Sequence, residues 1–305
     1  MNNYYALTHP SQPNYIAVTG GDYFGLGDDG MHSIPSSYKT IVDLLEAKGG
    51  LTWKAYQEDA PTACYTGYES DSLYFRKHNP FINYDSIATN ATRCSNIVPA
   101  TQLQTDLAAG SMPNYAFYTP NLINDGQNST VAQAAIWLTG FLPPLLANKS
   151  FINKTLVVVT FDESEDYNVP NNVYTLLLGD VVASVKAATD STFYTHYSLL
   201  STVEANWGLG NLGRQDTNMT VNNVFQIVAK AAGITTHQQH LDGECACIER
   251  HRAWILGRSH SIFLVCAAYL YWSTSYYNNI RELLLQQHQG AQRGRSLEGW
   301  WEQQP

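Results

Sequence analysis

Charged side chains are scarce in this 305-residue sequence: Asp, Glu, Lys and Arg make up 14% of it, against roughly 25% in an average globular chain. Basic residues are the rarer sign, 17 Lys and Arg against 26 Asp and Glu, and the formal net charge is −9. Binding to a phosphate backbone needs a basic face, so this balance argues against nucleic acid as a partner. No apolar run reaches the roughly 20 residues of a membrane-spanning helix. The run at 262–272 comes nearest, and its N-terminal extension meets His260 and Arg258. Stable membrane insertion is not expected. The opening Met1-Asn-Asn-Tyr-Tyr-Ala-Leu-Thr-His-Pro has neither the basic nor the apolar region of a secretory leader. This leaves an intracellular protein, or one whose natural start lies upstream.

Other motifs are missing too. There is no Walker loop, and Gly20-Gly21 and Gly25-Leu-Gly27 lack the strand–GxGxxG–helix context of a dinucleotide site. No G-x-S-x-G elbow marks a Ser-His-Asp hydrolase. The five cysteines have no convincing zinc-ligand spacing, and Cys245 and Cys247 stand too close for a standard knuckle. Cys64 and Cys94, 30 positions apart in a loop-rich stretch, are candidates for a disulfide that spacing alone leaves open.

What is present is a core. Hydrophobic residues reach 44%, which excludes global disorder. The 20 Tyr and 7 Trp, with few Lys and Arg, fit an exported protein better than a cytosolic one. So do five N-glycosylation sequons, at Asn90, Asn128, Asn148, Asn153 and Asn218.

Residues 1–235 read as a folded α/β domain. Helical spacing predicts helices near 37–47, 101–109, 131–146, 198–207 and 221–232, and Pro143-Pro144 should kink or split the third. Residues 156–161 form a continuous β-branched apolar run, the pattern of a strand buried on both faces, and 173–178 predict a second. Alternating buried strands and helices imply a mainly parallel sheet covered on both faces. From about residue 236 the character changes to Gln, His and Arg around one apolar run. This tail, 236–305, is expected to lie outside the domain, as a packed helix or as disorder.

Three constellations could carry chemistry. In Thr8-His-Pro-Ser11-Gln-Pro13-Asn14, Pro13 suits a first helical turn and Gly20-Gly21 a stop. Ser11 then sits at a helix N-terminus, beside unpaired N–H groups and the positive end of the macrodipole. That suits a nucleophile aimed at phosphate, although a capping serine has the same pattern. Asp162 and Glu163 directly follow the predicted buried strand. Ligands in open α/β sheets bind beyond the strands' carboxyl ends. Two adjacent carboxylates there repel one another and suit a cation, or are simply a polar strand end. His78, in Arg76-Lys77-His78, and His196, before a helix, are the remaining candidates. Basic residues at the first could pair with phosphate oxygens. A structural role is the bland alternative for both.

Five blocks, in this order, resemble the phosphoesterase family: Tyr5 to Ala17, Arg76 to Phe81, Thr119 to Gly126, Thr160 to Glu163 and His196 to Leu209. The family contains secreted fungal acid phosphatases and bacterial phospholipase C-type enzymes, and the wording is nearest to the former. The resemblance implies an alkaline-phosphatase-like fold, a mixed sheet sandwiched by helices. It implies that Ser11 attacks phosphorus in a small phosphate ester, and that Asn14 binds a phosphoryl oxygen. His78 and His196 would contact phosphate, a cation or the leaving group. Asp162 and Glu163 would ligate a divalent metal cation, with Asp125 as a further candidate. Relatives often carry His two positions after the Asp125 equivalent; Gln127 stands there, which favours a single-metal site. The resemblance further implies a Cys64–Cys94 disulfide, and secretion or cell-wall association. Relatives start with a leader and a first strand bearing metal ligands. This chain is expected to lack that strand, leaving two exposed sheet edges. A phospholipase C-type diesterase and an inactive truncated relative are the alternatives to an acid phosphatase.

Overall fold

A computed structural model of the chain describes residues 1–185, 188–236 and 261–267. In chain order the elements are β1 (Tyr4–Tyr5), α1 (Ser11–Gly20), α2 (Ile41–Lys48), β2 (Trp53–Gln57), β3 (Glu69–Ser70), β4 (Tyr74–Phe75), α3 (Asp85–Ala88) and α4 (Ala91–Cys94). They continue with β5 (Ile97–Pro99), α5 (Gln102–Ala109), β6 (Tyr115–Thr119), α6 (Val131–Ala147), α7 (Lys149–Ile152) and β7 (Thr155–Phe161). The last are β8 (Leu176–Leu178), β9 (Tyr194–Thr195), α8 (His196–Trp207), α9 (Gln226–Ala232) and β10 (Ser261–Ala267).

The main sheet has six strands in the order β5-β2-β6-β10-β7-β8. Five are parallel, and β8 closes one edge antiparallel to β7. This is the mixed sheet between helices that the sequence led us to expect. All seven residues of β7 are buried, as an apolar strand between two helical layers must be. Its side chains alternate. Leu156 and Val158 face a layer holding Tyr15 and Ile16 of α1, Val42 and Leu45 of α2, and Leu200 and Val203 of α8. Val157 and Val159 face Leu103 of α5, Leu138, Leu142 and Leu145 of α6, and Phe151. Each such buried side chain contributes about 1.5–3 kcal/mol. Every residue of α1 is buried, so Ser11 rides on a core helix. Gly21, at φ +68°, stops it in the left-handed conformation and donates its N–H to Ala17 O at 2.9 Å.

Four expectations change. The α6 helix runs through Pro143 and Pro144 without splitting; each proline forfeits one N–H near the end of a helix held by its buried Leu face. Residues 173–178 do not form a second core strand: only Leu176–Leu178 are β, half-buried at the edge. The last helix is shorter than 221–232 and starts at Gln226. Finally, the tail is not wholly outside the domain. Ser261–Ala267 lies at the sheet's centre, parallel to both β6 and β7, so the strands that would have been exposed edges pair with it. Cys64 and Cys94 form a disulfide, and Cys266 is a buried free thiol. Cys245 and Cys247 lie outside the described residues. No described helix is long and apolar enough to cross a membrane.

Candidate active site

The site forms where the N-terminus of α1 meets the carboxyl end of β7. Asn14 builds the approach to the helix. Its Oδ1 accepts from the N–H groups of Leu7 (2.9 Å) and Thr8 (3.3 Å), and its Nδ2 donates to the carbonyls of Thr8 (2.7 Å) and Pro10 (3.2 Å). The 7–10 turn is thereby tied to the first turn of α1. This sets Ser11, fully buried, with its Oγ donating to Glu163 Oε1 at 3.0 Å. The other oxygen of Glu163 is in short contact with His9 Nδ1.

Asp162 is also buried. Its Oδ1 accepts from the N–H of Glu163 at 2.9 Å, and its Oδ2 has no hydrogen-bond partner. His196 Nε2 donates to the main-chain carbonyl of Asp162 at 2.6 Å, while Nδ1 accepts from Tyr4 Oη at 3.1 Å. These bonds fix a neutral tautomer and brace the strand end. Thr195 caps α8 and so fixes the start of the helix that carries His196. His78 Nδ1 lies 3.2 Å from Asp125 Oδ2, without hydrogen-bond alignment, and His78 Nε2 is buried without a partner. The His78 ring stacks on Tyr15 of α1, centroids 5.0 Å apart.

Electrostatics set these groups apart from the rest of the surface. Burial is the first cause that raises the carboxyls of Asp162 and Glu163; for Glu163 the neighbouring Asp162 charge adds to it and the Ser11 hydrogen bond opposes it, and for Asp162 the nearby His78 opposes it. Burial likewise raises Asp125. It lowers both His78 and His196 to about 4, with the Lys77 charge adding for His78. Lys77 is the near cation. Its Nζ donates to Asp29 Oδ2 at 3.0 Å, and Asp29 Oδ1 accepts the N–H of Gln12 at 2.9 Å. Both side-chain polar atoms of Gln12 are buried without partners. Unsatisfied buried polar groups are uncommon. Here His78 Nε2 and Asp162 Oδ2 are two of them, as expected of a polar ligand site.

Ser11, Asp162 and Glu163 thus converge, and Asp125 and His78 pair beside them. Asn14 and His196 are used differently from the resemblance: Asn14's amide is spent on backbone groups and His196 holds a carbonyl. Arg76 does not meet an anion but donates to Asn83 Oδ1 and the carbonyls of Thr66, His32 and Ile82. Sequence reasoning gave no role to His9 or Asp29. His9 meets Glu163 across 154 positions, and no local pattern encodes such a contact. Among the described residues no three His, Cys, Asp or Glu side chains group closely enough to hold a metal ion by themselves. The adjacent Asp162–Glu163 pair, with an orphaned Oδ2, nevertheless fits a cation that takes its other ligands from substrate and water.

The fold and site define an α/β protein with a buried serine at a helix N-terminus beside paired strand-end carboxyls. Over residues 1–210 the chain matches the Phosphoesterase family model; it belongs to that family. A probable acid phosphatase of Kluyveromyces lactis is 48% identical over 244 residues, covering 77% of this chain and 56% of the relative. An acid phosphatase of Aspergillus fumigatus is 40% identical, with 78% and 54% covered. A phosphatidylinositol-3-phosphatase of Mycobacterium tuberculosis is 32% identical, with 68% and 66% covered. The chain spans a little over half the length of the two fungal relatives.

Proposed function

We propose that the chain carries the catalytic site of an acid phosphatase that hydrolyses phosphate monoesters through a phosphoserine intermediate. The observation that carries this reading is the 3.0 Å hydrogen bond from Ser11 Oγ to Glu163 Oε1 at the head of a buried helix. As Ser11 Oγ bonds to phosphorus, the ester bond to the leaving oxygen breaks, and the hydroxyl proton passes by way of the Glu163 carboxyl to that oxygen, which departs as the alcohol. Water then attacks the phosphoserine, the bond from phosphorus to Ser11 Oγ breaks, phosphate is released, and the water's proton passes by way of Glu163 to Ser11 Oγ. The positive end of the α1 dipole and the Lys77 ammonium offset charge on the phosphoryl oxygens. His78 Nε2 is free to bond a phosphoryl or leaving oxygen, and Asp125 steadies its ring. Asn14 and His196 act through others, as positioning residues for Ser11 and Asp162. Asp162 and Glu163 would hold a divalent cation, which when bound supplies positive charge to the phosphoryl group. The disulfide, together with sequons at the exposed Asn90, Asn128, Asn153 and Asn218, supports a glycosylated protein of an oxidising compartment.

The test is hydrolysis of p-nitrophenyl phosphate against bis-p-nitrophenyl phosphate from acidic to neutral pH, with and without chelator. Monoester turnover that falls about 10³-fold or more in Ser11→Ala is expected. Turnover surviving in a folded Ser11→Ala protein overturns the reading, and preferential diester cleavage replaces it with a phospholipase C-type activity.

A further inference from the structure

The 164–171 loop follows Glu163 and returns to the nucleophile segment. Asn171 closes its base. Its Oδ1 accepts the N–H of Ser164 at 2.7 Å, its Nδ2 donates to Thr8 O at 2.9 Å, and its carbonyl accepts the N–H of Ala6 at 2.9 Å. Inside the loop Asp166 Oδ1 accepts from both the backbone N–H (2.8 Å) and the Nδ2 (3.0 Å) of Asn168. This local turn brackets Tyr167. The Tyr167 ring lies flat on the imidazole of His9, centroids 3.8 Å apart and planes within 24°, and 57% of the residue is exposed.

Exposure grows outward along the chain of contacts from Ser11 through Glu163 and His9 to Tyr167. Ser11 and Glu163 are fully buried, the His9 side chain is 17% exposed, and Tyr167 is more than half exposed. In-line displacement requires the leaving oxygen to depart opposite Ser11 Oγ. A leaving group departing from the buried Ser11 must reach solvent, and Tyr167 is the exposed end of this chain of contacts. We propose that Tyr167 is a specificity-determining residue that stacks on a planar aromatic leaving group of the substrate, with His9 as its backing. The proposal rests on the phosphatase reading of the Ser11 site. An aromatic occupant is favoured over an acyl chain because the platform is a π-face held by a stacked imidazole, and such faces attract other rings beyond simple area burial. Val169, 49% exposed two residues on, widens the apolar surface without adding a ring.

The experiment measures equilibrium binding of phenylphosphonate, methylphosphonate and octylphosphonate to the full chain and to Tyr167→Ala and Tyr167→Phe. In parallel it measures turnover of p-nitrophenyl phosphate and glycerol 2-phosphate. Phenylphosphonate should bind about five- to tenfold tighter than methylphosphonate. Tyr167→Ala should abolish that ratio and raise KM for the aryl ester more than it lowers kcat, and Tyr167→Phe should restore both. An unchanged ratio in Tyr167→Ala, or no preference in the parent chain, overturns the proposal. An octyl preference equal to the phenyl one, lost in the same variant, overturns it in favour of an acyl-chain site. Selective phenylphosphonate binding without turnover would sink the phosphatase reading alone, turnover without aryl selectivity the present inference alone, and absence of both would sink the two together.

Discussion

Two neighbouring strands, β7 and β10, are near twins in the core, and β7 adds to that shared design the carboxyls that follow it. They pair in parallel over seven residues, from Thr155 and Ser261 to Phe161 and Ala267. Both alternate side chains between the same two layers: Val158 and Leu264 on one face, Val157 and Phe263 on the other. Past its carboxyl end β7 runs into Asp162 and Glu163, whereas the last residues of β10, Cys266 and Ala267, pair with Thr160 and Phe161 inside β7 and carry no carboxyl. Building the core and supplying the chemistry are therefore separate tasks. Alternating apolar positions decide where a strand sits, and the carboxyls just past the end of β7 bring it to the reaction site.

The comparison breaks most severely if β10 is removed. Ile262, Phe263, Leu264 and Val265 are each at most 2% exposed. Losing their burial forfeits on the order of 6–12 kcal/mol, comparable to the whole stability of a typical domain. It also leaves β6 and β7 as unpaired edges. A chain ending at residue 236 should lose cooperative urea unfolding and precipitate or bind a hydrophobic dye. Leu264→Pro should do nearly the same, because both flanking ladders draw on β10. Were the truncated protein to unfold at the parent midpoint, β10 would be an accessory strand.

The next effect separates the two ends by pH. Asp162 and Glu163 titrate higher in the fold than in the unfolded chain, chiefly through burial. The folded state therefore holds more protons across the interval between their unfolded and folded values. Their contribution to stability is complete below the unfolded carboxylate range and is lost as pH rises through the folded values. In chelator, the unfolding free energy should fall between pH 4.5 and pH 7.5, by up to about 1.4 kcal/mol per pH unit for each group responsible, and the melting temperature with it. Asp162→Asn with Glu163→Gln should flatten that slope and abolish turnover. Cys266→Ala should do neither, since burial pushes its thiol above the ordinary range and out of this window. A residual slope should persist in the double variant. Glu204, pushed up to about 9 by burial and by Asp216, carries the same sign away from both strands.

The asymmetry also explains what could be read from the sequence. The run at 156–161 was legible as a buried strand because it is short, β-branched and bounded, and the carboxylates after it followed from its direction. Ser11 was legible because Pro13 and Gly20-Gly21 bracket its helix. The 262–272 run was not, since a continuous apolar stretch carries no period that distinguishes strand from helix. Its partners, Ile262 with Tyr115 and with Leu156, are more than a hundred positions away. The employment of Asn14, His196 and Arg76 was hidden for a related reason: each is decided by main-chain carbonyls or N–H groups, which sequence does not locate. The tyrosine–histidine stack joins positions 158 apart, 9 and 167.

The smallest effect gives the comparison its finest test. Cys266 is buried on the α1 side of the sheet, its carbonyl 3.5 Å from the Tyr15 hydroxyl that donates to it. Its thiol is close enough to Asp162 and Asp125 for their charges to help raise it. If core and chemistry are divided between the two strand ends, this proximity is incidental. Cys266→Ala then removes one buried heavy atom, costs about 1 kcal/mol and lowers the melting temperature by about 2–4 °C, with kcat unchanged within twofold. A tenfold or greater loss of kcat at near-parental stability would mean the opposite. The end of β10 would then belong to the reaction site, and the thiol beside Asp162 would be part of how that carboxyl is held.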